Sequence, residues 1–176
     1  LQPFLNELEN RGKALALGIN RVVARGPRLI VSTIPYVDLS PWGLNENAQY
    51  PDANPTRRQV LKDMVNQFNN GLRVNILNDG NKIGLIFGDQ MSQNYYDDPA
   101  SFGIVFPFAD EVACVDAAPL PLTTPTPLLA CTDAAADLAA GATSTNTMWA
   151  DTLRFAPNPQ GRLGELARER AQNNPF

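Results

Sequence analysis

Apolar residues recur at three-, four- and seven-residue steps near the start of the chain, at Phe4, Leu8, Leu15, Ile19 and Val22. This spacing predicts a helix over roughly 4–24 with those five side chains on its buried stripe. Arg25-Gly26-Pro27 ends the pattern, because glycine caps a helix readily and proline cannot continue one. Arg28 to Ile34 is short, mostly apolar and rich in β-branched residues, which reads as a buried strand. From Tyr36 to Pro55 the periodicity lapses. That predicts a long irregular loop, unusual unless it has a job or a partner. Thr56-x-x-Gln59 fits a capping box and opens a second helix, with Leu61, Met64, Val65, Phe68 and Leu72 as its buried face. Asn78-Asp79-Gly80 marks a turn, Lys82 to Phe87 reads as a second buried strand, and a weaker helix covers 89–97.

Between about 99 and 150 no period persists. Residues 117–146 are dominated by Ala, Thr, Pro and Leu, which reads as a stapled loop or a short helix at 133–140. Leu163, Leu166, Ala167 and Ala171 then fit a final amphipathic helix. Helices alternating with buried strands imply an α/β fold in three layers around a parallel sheet. Two strands are too few for such a sheet, so its N-terminal strands are expected from outside these residues.

Composition narrows the class. At 176 residues, with 44% hydrophobic and 18% charged residues, the chain has enough material for one globular domain. A net charge of −4 without a Lys/Arg cluster argues against nucleic-acid binding. No apolar run is long enough to span a bilayer. Leu1 is not an initiator methionine, so the sequence reads as starting at a processing point or at the edge of a longer one. Cys114 and Cys131 flank a polar, irregular stretch. They read either as a disulfide pinning a long loop, worth roughly 3 kcal/mol for a loop of about this size, or as two unrelated buried thiols. The disulfide is favoured, and it points to a periplasmic or secreted setting. Two thiols without histidine make a poor zinc site, and no cofactor is implied.

The stretch from Met148 to Gly164 carries the most information. It resembles the last conserved block of the SGNH (GDSL-type) esterases and lipases, D-x-x-H-P-T-x-x-G-H-x-x-L-A, often preceded by an aromatic residue two places before the Asp. Laid without gaps, Asp151 matches the Asp, Trp149 the aromatic, Leu163 the aliphatic position and Gly164 the small one. Pro159 and Gln160 replace Gly and His, and Phe155-Ala156 replace Pro-Thr. Arg154 stands at the catalytic His position. Gly26 to Pro35 is similar to the family's helix-to-strand passage, Gln67 to Leu72 to its "fN..L" helix, and Asn94 to Ile104 to its "nP..yGf" segment. The likeness covers nearly the whole chain but only the family's C-terminal half. It implies that the nucleophile serine and the oxyanion-hole residues lie upstream of Leu1.

That resemblance sets a chemical problem. A serine hydroxyl attacks an ester only when a neutral imidazole takes its proton, and a carboxylate orients the imidazole. Asp151 fits the orienting role, against the plainer reading of a loop or cap aspartate. Arg154 cannot replace histidine, because a guanidinium stays protonated and has no acceptor lone pair. An Asp151–Arg154 surface ion pair is its natural alternative. With no histidine anywhere, the chain alone cannot run this mechanism. Phe87-Gly88-Asp89-Gln90-Met91-Ser92 looks like the nucleophile block F-G-D-S-x-S, but it stands too near Asp151 for the intervening elements. It is read as coincidence, with Ser92 as a helix-start serine. Trp42, Tyr50, Tyr95 and Tyr96 could line a groove or pack on the core.

Two functions compete on this basis. One is the C-terminal part of an exported ester hydrolase, partnered by an N-terminal portion of the same protein or by another subunit. The other is a non-catalytic binding or assembly protein that retains the fold.

Overall fold

The computed structural model describes residues 1–105, 109–114 and 131–173. Helix α1 (Gln2–Val23) leads through Gly26, whose φ of 114° suits glycine, into strand β1 (Leu29–Ser32). A short 3-10 turn, Val37–Leu39, and helix α2 (Pro41–Gln49) follow. Then come α3 (Arg57–Asn75), β2 (Ile83–Ile86), α4 (Gly88–Asp97) and, after the disulfide region, α5 (Pro157–Asn173). The strands pair in parallel, Leu29 opposite Ile83 and Ser32 opposite Ile86. The architecture is mixed α/β around this two-stranded parallel sheet, with no third strand among the described residues. Every residue of β2 is buried, whereas β1 alternates between half-buried and exposed.

The largest helix contact is the crossing of α1 and α3, and it corrects the expected buried stripe. Phe4, Leu15 and Val22 are about half exposed, while Leu5, Gly12, Ala16 and Val23 are buried. Small residues win because the two backbones touch. A Cβ added at Gly12 would lie 2.0 Å from the Phe68 carbonyl oxygen, and one at Gly71 would lie 2.0 Å from the Glu9 carbonyl oxygen. Asn20 fastens one end of the crossing, donating from Nδ2 to the Asn75 carbonyl and accepting from the Leu77 N–H, both at 2.9 Å. On α3, Val65 and Leu72 are buried as expected, and Leu61, Met64 and Phe68 are half-buried. The Thr56 cap forms, its Oγ1 accepting from the Gln59 N–H at 3.2 Å.

The supposed irregular loop 36–55 is largely folded. Ser40 Oγ accepts from the Gly43 N–H at 3.1 Å and Pro41 occupies the first turn, so α2 has a proper start despite its weak helix formers. Residues 133–140 form turns rather than a helix. The rest of the expected stapled segment, 117–130, lies outside the described residues. Cys114 and Cys131 are disulfide-bonded, with their Cα atoms 6.1 Å apart. Among the described residues, no helix is long and apolar enough to cross a membrane.

Ser92 is not a helix-start serine. It is fully buried inside α4, where its Oγ accepts from the Tyr36 N–H and donates to the Asp89 carbonyl, both at 2.9 Å. Asp89, in the first turn of α4, is 3% exposed and anchors the same junction. Arg73 Nη2 donates to both of its carboxylate oxygens, Thr33 Oγ1 donates at 2.7 Å and Asn69 Nδ2 at 3.3 Å. Asn69 also brackets Ile34, bonding its N–H and its carbonyl at 2.9 Å each. This network ties α3 and α4 to the end of β1.

Asp38 is a second buried acid, less well served. Arg58 Nη2 lies 3.8 Å from its Oδ2, and Asp38 Oδ1 and Arg58 Nε are both buried without hydrogen-bond partners among the described residues. Burial is the largest influence on Asp38 and raises its pKa above the ordinary 3.8, against the opposing pull of Arg58 and Lys62. A carboxyl with a raised folded pKa holds its proton more tightly when folded. Its contribution to stability is therefore complete below the unfolded value and is lost as pH rises through the folded one. Asp38→Asn cannot ionise. It is expected to melt with the wild type at about pH 3.5, near the unfolded value of a carboxyl, and above it at pH 7. Parallel melting-temperature slopes for the two proteins across that range would remove the explanation.

Candidate functional site

The Asp151 block folds into a tight loop held from several sides. The Ala113 N–H bonds the Trp149 carbonyl at 2.8 Å and the Cys114 N–H bonds the Ala150 carbonyl at 3.0 Å, so the disulfide-bearing segment fixes the approach to Asp151. Ala150 and Arg154 close the loop on itself through an N–H to carbonyl bond of 2.8 Å, as do Ala156 and Met148 at 2.9 Å. The Trp42 N–H reaches across from α2 to the Thr152 carbonyl at 3.0 Å. Behind the loop, Trp149 stacks on Phe155 with ring centroids 4.8 Å apart, in a core shared with Met91, Tyr95, Ile104 and Met148.

Asp151 is 6% exposed and works within its own turn: Oδ1 accepts from the N–H groups of Leu153 and Arg154, at 2.7 and 2.5 Å. Oδ2 lies 3.6 Å from Arg154 Nε, giving an ion pair beyond hydrogen-bond length. The Arg154 side chain is 59% exposed, and such a pair adds only about 0–1 kcal/mol. The two residues named from sequence are thus together, as the loop and cap reading of Asp151 and the salt-bridging reading of Arg154 describe. A base for acyl transfer is absent from the pair.

Beside this loop lies a cavity of about 340 Å³. Its walls are Ile34, Pro35 and Val37, which follow β1 directly, and Trp149, Leu153 and Phe155 from the Asp151 loop. Tyr36, Ser40, Arg154 and Gln160 add polar groups. In open α/β sheets, ligands collect beyond the carboxyl ends of strands, which is where Ile34 to Val37 sit. The volume falls at the lower end of the roughly 300–1,000 Å³ usual for small-molecule sites, and the mostly apolar lining with few polar groups is also usual.

Periodicity could not have found these walls, because Ile34 and Leu153 belong to no regular element. The strand-ending Pro35 was the available signal. Of the aromatic residues considered for a groove, none lines this cavity. Tyr95 is buried and stacked on Phe102 at 4.2 Å, Tyr50 lies under Arg57, Tyr96 lies under Arg58, and Trp42 acts through its backbone. Among the described residues, no cluster of three His, Cys, Asp or Glu is arranged to hold a metal ion. The chain matches no protein-family model, no curated protein and no solved structure.

Proposed function

We propose that this chain is the C-terminal portion of an exported, SGNH-type carboxylic ester hydrolase domain, a three-layer α/β fold whose remaining strands come from an N-terminal portion of the same protein or from another subunit. The observation that carries the reading is the meeting of the Asp151 loop with the segment following β1 around one apolar cavity. A hydrolase of this type needs its acid-bearing loop at that end of the sheet. The half-exposed β1, with Ile30 at 42% exposure, supports additional strands, since parallel sheets are normally covered and two strands alone are marginal. The disulfide supports a periplasmic or secreted setting.

In this reading the chain supplies the substrate wall and the acid position, while the serine and the imidazole come from elsewhere. A second reading, a non-catalytic binding or assembly protein, is favoured by one specific observation: Asp151 faces a guanidinium at 3.6 Å where the mechanism requires a neutral base. A fluorophosphonate probe with the full-length protein, alongside p-nitrophenyl ester turnover, separates the two. Labelling of a serine outside residues 1–176 together with turnover is expected of the hydrolase. Absence of both eliminates it.

A further inference from the structure

We infer that the cavity between the end of β1 and the Asp151 loop is a binding site for an amphipathic monocarboxylate, its apolar tail inside and its carboxylate on Arg154. Two features of the cavity converge on that ligand class. Most of the lining is hydrocarbon or aromatic: Ile34, Pro35, Val37, Leu153 and Phe155. Such a wall rewards a ligand that brings an apolar body out of water.

The second feature is Arg154. It lines the cavity while keeping 59% of its side chain exposed, which places it at the mouth rather than the floor. Its guanidinium makes no hydrogen bond among the described residues, because Asp151 spends Oδ1 on backbone N–H groups and holds Oδ2 3.6 Å away. A planar fork of N–H donors, positively charged at all working pH, matches the two oxygens of a carboxylate. Replacing a histidine-like base with this group changes what the site can do with an acyl compound: it holds the free acid rather than activating water or serine.

A hydrocarbon alone leaves the guanidinium unanswered, and an alkylamine adds repulsion at Arg154.

The inference rests on the reading of this end of the sheet as the ligand-facing one, though not on catalysis. Calorimetric titration of the full chain with octanoate, 1-octanol and octylamine tests it, with tryptophan emission as a second readout. Octanoate is expected to bind roughly tenfold or more tighter than 1-octanol, as a charge-assisted hydrogen bond implies, and octylamine not to bind. Arg154→Gln, at an exposed position where folding is safe and checked by circular dichroism, is expected to bring octanoate down to the level of 1-octanol. Arg154→Lys should recover part of the difference. Leu153→Asp, which puts a negative charge on the wall, should weaken octanoate more than 1-octanol. Equal affinities for octanoate and 1-octanol, unchanged octanoate binding in Arg154→Gln, or no saturable binding at millimolar octanoate would each overturn the assignment. Saturable octanoate binding in a protein that neither takes the fluorophosphonate probe nor turns over ester would leave it standing while removing the hydrolase. Labelling and turnover without octanoate binding would do the reverse.

Discussion

Gly71→Ala is expected to destabilise the protein by about 3 kcal/mol, the upper end of ordinary overpacking, and to lower its melting temperature by roughly 6–12 °C at the usual conversion for a chain of this size. The reason is the nature of the obstacle. The new methyl group would meet the Glu9 carbonyl oxygen at 2.0 Å and the Lys13 N–H nitrogen at 3.0 Å, both backbone atoms of α1. No rotamer change can make room, so the helices must part and lose the contacts beyond the crossing. Gly12→Ala should cost a similar amount, because its methyl would meet the Phe68 carbonyl oxygen at 2.0 Å. The double variant should cost less than the sum, since one separation of the helices relieves both clashes. Gly18→Ala is the control. It lies in the same helix with nothing within 4 Å of the added carbon, and it should stabilise by roughly 0.5–1 kcal/mol through helix propensity alone. Chemical denaturation of the four variants reads all of this, and a Gly71→Ala protein as stable as wild type would show that the backbones do not touch.

Arg73→Met should be the other large loss, about 3 kcal/mol, the lower end for breaking a buried ion pair, since Arg73 is itself 37% exposed. Asp89 would keep its bonds from Thr33 and Asn69 but remain 3% exposed with its charge uncompensated. Arg73 also packs its guanidinium over the Phe87 ring, 4.9 Å from the centroid, and methionine retains most of that apolar contact. The variant therefore isolates the charge. Adding Asp89→Asn to Arg73→Met should restore much of the loss, because the neutral amide leaves no bare carboxylate behind. If Arg73→Met melts with the wild type, or the second change restores nothing, the junction is held by packing rather than by the ion pair.

These two expectations show where the sequence was readable and where it was not. The helices α1 and α3, both strands and the short α4 were legible because each carries its own period or cap, Thr56 with Gln59 being the clearest. Which face α1 buries was not. Hydrophobic patterning weighs side chains by size, so Phe4 and Leu15 outranked Gly12, and only the partner helix reveals that the absence of a side chain is the point of contact. Helix α2 was hidden by Gly43 and its asparagines, although Ser40-Pro41 is a start signal that local reading could have used. Asp89 falls within a chance likeness to a nucleophile block. Its role depends on Arg73, Thr33 and Asn69, which no spacing brings together. For the site, Asp151 and Arg154 stand out through their likeness to a known block, and what the structure adds is that they share one turn. The cavity walls were not legible, since they come from opposite ends of the chain and meet only in three dimensions.

The far side of β1 carries a cost. Among the described residues, Leu29 to Ser32 pairs with β2 alone, which leaves its other row of amide and carbonyl groups without a strand partner. Such a row is a template for any extended polypeptide. Natural sheet margins deter this with lysine, proline or a bulge, whereas the exposed residues of β1 are Ile30 and Ser32. A margin of this kind makes concentration a chemical variable, because uncovered strand edges pair with one another when crowded.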